Sequence, residues 1–181
     1  YITSNGARKV VIKLAPASHD IASFSISFDL LKRYGFSVTS HELNFDLKVN
    51  ASAFVDRVSD GNDKRIQKCL REGFVGAKLG PERFEEAYAL IAGNRERRGY
   101  LLSMTYPQLQ KMINLFPAKM HFFAVFNNHE KKVMAAASVC IDITPTLLYV
   151  LYCGDAADME SYSPVALLAS EIHGHCQPHG I

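Results

Sequence analysis

Residues 120–152 constrain the fold more than any other stretch. Three apolar runs, 120–126, 133–143 and 147–152, are joined only by Asn127-Asn128-His129-Glu130 and by Thr144-Pro145-Thr146. Connections this short leave no room for a crossover, so the runs form an antiparallel meander. In the middle run, Met134, Ala135, Ala136, Ala137, Ser138, Val139 and Cys140 are small or apolar on both faces, as suits a central strand covered on both sides.

Helical signals flank the meander. Pro81 is placed as the first residue of a helix whose Phe84, Tyr88 and Ile91 fall at i, i+4 and i+7; it runs to about Arg98 and ends at Gly99. Ser103 or Thr105 caps the next helix, with Leu109, Met112, Ile113 and Phe116 as its apolar stripe and Pro117 as its stop. After the meander, Ser163-Pro164 opens a helix with Val165, Leu168, Ala169, Ile172 and Cys176 on its buried face. Upstream, residues 9–14 (KVVIKL) read as a strand, and residues 24–34 as a helix carrying Phe24, Phe28 and Leu31 and closed by Gly35. The alternation of Leu43, Phe45 and Leu47 with Asn44, Asp46 and Lys48 predicts a strand over 37–49. Ser52 is expected to cap a short helix through Val58 that Asp60-Gly61 stops. A basic helix over 62–74 and a strand over 75–79 follow. The expectation is a mixed α/β fold with a largely antiparallel central sheet flanked by helices. It is divided into an N-terminal lobe (1–60), a basic connecting helix and strand (61–80) and a C-terminal lobe (81–181).

A chain of 181 residues with 48% hydrophobic content is long enough for a full α/β core. Its formal net charge of +2 gives no global drive toward nucleic acid or anionic membrane, so such a contact must come from a local patch. No apolar run reaches the roughly 18 residues that a bilayer span needs. Cys69, Cys140, Cys153 and Cys176 are irregularly spaced in apolar or helical contexts, which reads as reduced thiols and a cytoplasmic location. The chain starts at Tyr1 and stops just after His179-Gly180, where a further strand is expected, so a fragment of a longer protein is expected.

Several strings resemble the GNAT superfamily of N-acetyltransferases, in the branch near the FemAB aminoacyl and peptidyl transferases. They are KRIQKCLREGF at 64–74, NRERRG at 94–99 and LYVLYCGD at 148–155, followed by Ser163-Pro164. The resemblance implies an acyltransferase that moves an acyl or aminoacyl group from an activated donor, acyl-CoA or aminoacyl-tRNA, to the amine of a small molecule or peptide. Ordinary acetyltransferases cradle the coenzyme A pyrophosphate in a glycine-rich loop. The matching segment here, residues 153–163, has Gly154 alone and three acids, Asp155, Asp158 and Glu160. Those carboxylates oppose a pyrophosphate.

The resemblance makes Tyr152 the candidate to protonate the leaving group, and Tyr149, Gly154 and Ser163 line the donor side. Tyrosines on strands are also ordinary packing residues. Asn94, Arg95, Arg98 and Tyr100 surround a sharp helix end and could grip a carboxylate or phosphate, although cations gather at helix C-termini without any such role. Lys64, Lys68 and Arg71 share one helix face, fit either for a tRNA backbone or simply for water. His173, His175, Cys176 and His179 form an H-x-H-C-x-x-H string, but one helix cannot converge all four on a tetrahedral metal, so no metal is expected. The competing class is a non-catalytic ligand-binding or interaction module that keeps a degenerate form of the fold.

Overall fold

The computed structural model describes residues 6, 8–127 and 133–179, and the chain divides into two compact units, Tyr1–Lys48 and Val49–Ile181. The first unit is built around one helix, α1 (Ile21–Arg33). Asp20 caps it by accepting the Ala22 and Ser23 amides at 3.1 Å. Gly35, at φ 84°, closes it: the Gly35 amide returns to the Lys32 carbonyl and the Phe36 amide to the Leu31 carbonyl. The expected strands at 9–14 and 37–49 do not form. Alternation makes a strand only where a partner supplies the ladder, and among the described residues none pairs here. Leu43 and Phe45 point into solvent, 89% and 93% exposed.

The second unit is a three-layer α/β/α sandwich. Its sheet has the order β1-β2-β3-β4, antiparallel throughout, with β1 Phe74–Lys78, β2 Met120–Asn127, β3 Val133–Thr144 and β4 Leu147–Asp155. The mixed α/β class with an antiparallel sheet therefore holds, and β1 joins the meander at its far edge. Of the expected turn at 127–130, residues 128–130 lie outside the described residues.

Three irregularities break the ladder, one of them at Ile143 beside the β3–β4 turn and two within the central strands. Phe126 opposes Met134 while Val125 opposes Ala136, so Ala135 is the extra residue, and its carbonyl accepts the Ala156 amide at 2.9 Å. Val139 opposes Tyr152 while Cys140 opposes Val150, so Leu151 is the extra residue of β4.

One face of the sheet packs Phe122, Ala124, Ala137, Val139 and Tyr152 under α3 (Phe84–Arg97) and α4 (Tyr106–Leu115). The other packs Phe123, Val125, Ala136 and Cys140 under α2 (Asp60–Arg71) and α5 (Pro164–His179). Both helix-covered faces bury β3, as its small residues require. Thr105 is the N-cap of α4 and forms a capping box with Gln108, the Gln108 carboxamide accepting the Thr105 amide at 2.8 Å.

Some boundaries shift. Asp60 and Gly61 open α2 instead of stopping the helix before it, because an acid in the first turn complements the helix dipole. The expected short helix is the 3₁₀ turn Phe54–Arg57, capped at Ala53 and not at Ser52. On α5, Val165 faces outward and Leu167 takes its place beside Leu168 in the core. All four cysteines are free thiols.

Candidate active site

α3 buries Ala87, Ile91 and Asn94, one stripe at i, i+4 and i+7, against the end of β4. Gly154 lets this happen. A Cβ there would lie 2.9 Å from the Asn94 Cβ and 3.1 Å from the Ile91 Cα, so only a bare α-carbon admits the helix. The side-chain amide of Asn94 then donates to the Asp155 carbonyl at 3.0 Å and to its carboxylate Oδ1 at 2.6 Å. Arg97 donates to the same carbonyl at 3.0 Å and stands 3.5 Å from Glu160. Arg98 lies 3.6 Å from Asp155 and 3.7 Å from Glu160. Two of the three acids expected to oppose a donor phosphate, Asp155 and Glu160, are thus paired to Arg98, one of the two arginines expected to grip it, and to Arg97. This corner is an internal charge cluster.

Gly99, at φ 74°, ends α3 with its amide on the Glu96 carbonyl, and the Tyr100 amide returns to Arg95. The turn leaves the Tyr100 side chain exposed. Arg95 differs from its neighbours: its Nε is buried and has no hydrogen-bond partner among the described residues. Its charge acts on the Cys153 thiol, which burial pushes up to about 11; Asp155 adds to the rise, while Arg95 and Arg98 oppose it. At neutral pH that thiol is protonated and is no nucleophile.

Tyr152 is buried beneath the chain that links α3 to α4, where its hydroxyl and that of Ser103 share a hydrogen bond. Beside it the Tyr88 hydroxyl donates to the Met104 carbonyl at 2.8 Å. Burial raises the Tyr88 pKa above the usual phenol value, and Tyr152 adds to the rise. Tyr149 lies three residues back on β4, partly exposed. β4 is the last strand of the sheet, and among the described residues no strand pairs with its outer edge.

Residues 157–162 form a 3₁₀ helix, not an open glycine loop, and Ser163 follows with φ 55° as its left-handed C-cap, just before α5. Two bonds from α2 hold this turn down: Lys68 Nζ donates to the Ser161 carbonyl at 2.9 Å and lies over the Tyr162 ring, and Cys69 Sγ donates to the Tyr162 carbonyl at 3.1 Å. Lys68 is therefore a clamp, while Lys64 stands exposed on the same helix. Asn94, Arg98 and Gly154 come together in one corner; Tyr152 lies on the same sheet face, toward α4. Lys64, Lys68 and Ser163 belong to the opposite layer.

Sequence reasoning passed over two groupings. Arg97 bonds Asp155 more directly than Arg98 does, and its position in the run of basic residues was the available signal. His121 Nε2 and Asp142 Oδ2 are 2.8 Å apart across β2 and β3. The His175 ring is 5.0 Å from that of His121. His173, two residues earlier and so on the far side of α5, is buried. Among the described residues no three His, Cys, Asp or Glu side chains form a metal-binding group, and the side chain of His179 lies outside them.

No family model matches the chain. A solved structure described as FemX is similar to it, with a TM-score of 0.58 at 10% identity over 85% of this chain and 57% of FemX. The chain therefore spans a little over half the length of that protein. The likeness shows the fold.

Proposed function

We propose that this chain is an acyltransferase of the aminoacyl type, carrying an acyl or aminoacyl group from an activated donor to an amine on a peptide or small molecule. The FemX likeness over 85% of the chain is the observation that carries this reading. The donor lies along the outer edge of β4, where main-chain groups with no strand partner among the described residues can bond an extended acyl chain. Tyr152 supplies the leaving-group proton through the Ser103 hydroxyl.

Aminoacyl-tRNA fits better than acyl-CoA. Gly154 is filled by Asn94 and the following residues are coiled into a 3₁₀ helix, so no row of free amides is left to hold a pyrophosphate. Lys64 and Arg71 of α2 offer charge to a tRNA backbone, with Lys68 already committed to Ser161. Such a donor places the reaction in the cytoplasm; among the described residues no helix is long and apolar enough to cross a membrane. One observation favours the competing reading, an interaction module without catalysis: Asn94, Arg97 and Arg98 are all engaged by Asp155 and Glu160.

Transfer of a labelled amino acid from charged tRNA to an amine-bearing peptide separates the two. The enzyme reading expects turnover that falls about a hundredfold in Tyr152→Phe with unfolding temperature unchanged. Absence of turnover, together with no thermal stabilisation by charged tRNA or acyl-CoA, leaves the module.

A further inference from the structure

On the sheet face covered by α5, away from the α3 corner, a groove of about 300 Å³ runs between α5, α2 and the segment around Phe54. Val165, Ala166 and Ala169 line it from α5, with Ser163 just before that helix, Phe54 and Val58 from the short 3₁₀ segment, and Asn62 and Arg65 from α2. Among the described residues no acidic side chain lines it.

Its walls are fixed independently of any ligand. Gln177 Nε2 donates to the carbonyls of Asn50 and Ser52, both at 2.8 Å, and so ties the segment leading to Phe54 onto α5. The Phe54 ring rests against His173, with centroids 5.2 Å apart. Ala166, Ala169, His173 and Gln177 are spaced to lie on one stripe of α5, so the segment runs antiparallel along that stripe. At the polar end, Arg65 Nη1 donates to Asn62 Oδ1 at 2.8 Å, which orients the guanidinium and, among the described residues, leaves its other N–H groups open.

A concave apolar lining with one oriented cation is the chemistry of a carboxylate that carries an apolar body. We propose that this groove binds a small carboxylic acid with an aromatic or aliphatic body, the body lying on Ala166 and Ala169 and the carboxylate meeting Arg65. A preformed site of this kind loses little freedom on binding. The proposal does not depend on the acyl-transfer reading.

The probe is 4-phenylbutyrate, compared with the neutral 4-phenylbutan-1-ol, on the full 181-residue chain. Backbone amide resonances of Ala166 and Ala169 should move saturably with the acid, and the alcohol should bind about tenfold more weakly because it lacks the charge-assisted bond. Arg65→Gln, an exposed substitution, should erase the difference between acid and alcohol. Ala169→Leu should fill the groove and weaken both, with thermal unfolding reporting that it still folds. Equal binding of acid and alcohol to the unaltered chain overturns the proposal, as does the absence of saturable movement. Concentration-dependent shifts at the same amides without any probe mean that a second copy occupies the groove, and overturn it too.

Discussion

The two helical layers of the sandwich use their arginines in opposite ways. Under α3, the polar groups at the end of β4 answer one another, Arg95 Nε excepted: Asn94 and Arg97 bond Asp155, and Arg98 stands between Asp155 and Glu160. In the α5 layer, Arg65 of α2 has, among the described residues, a single neutral partner and keeps donors to spare. A sequence shows both sites as arginines on amphipathic helices. The presence of acids within reach decides which one can receive a ligand, and that depends on the tertiary approach of distant segments.

The sharpest way to break the closed corner is Gly154→Val. Its Cβ meets the Asn94 Cβ and the Ile91 Cα, which is backbone and cannot rotate away, so a loss of about 3 kcal/mol in urea unfolding is expected. A variant as stable as the parent would mean that α3 does not press on β4 there. Asn94→Ala comes next. It strips a buried carboxylate of its main donor and should cost about 2 kcal/mol, whereas Arg98→Gln should cost less than about 0.5 kcal/mol because that ion pair is half exposed. Equal costs would place the weight of the corner in the charges and not in the buried amide.

The α5 layer responds to pH. Burial, and then Arg57, depress the His173 imidazole below its ordinary value of 6.5. The unfolded chain therefore binds that proton more tightly than the folded one. The stability contribution is complete above about 6.5 and is lost as pH falls through the lower folded value. His173→Phe, which keeps a ring against Phe54, should flatten the slope of stability against pH below 6.5. An unchanged slope would assign the acid sensitivity to other groups. The smallest effect belongs to Cys153: with a thiol pKa near 11, its alkylation by iodoacetamide at pH 7.5 should be far slower than that of a free cysteine, read by mass spectrometry.

Most of the second unit was legible because its signals are local. Pro81, Gly99, the Thr105-Gln108 pair and Ser163-Pro164 bracket helices by their own chemistry, and the short connections leave an antiparallel meander as the simple solution. Residues 9–14 and 37–49 carry equally plain β patterns yet form no strand, since a ladder needs a second chain segment that local sequence cannot supply. Gly154 misled for a related reason. Read along the chain it belongs to a donor loop; in space it is the point where α3 touches the sheet. His121 and Asp142 meet only through the β2–β3 register, which hydrophobic alternation does not specify to the residue.

The bulge at Leu151 bears on how this molecule behaves in crowded solution. β4 offers an outer row of main-chain groups with neither lysine nor proline to discourage a foreign strand. The extra residue interrupts the regular spacing of that row near its middle, which makes it a poorer template for a long foreign strand. An irregularity in the ladder thus acts as a safeguard against fibrous assembly while leaving the edge open to a short, flexible guest.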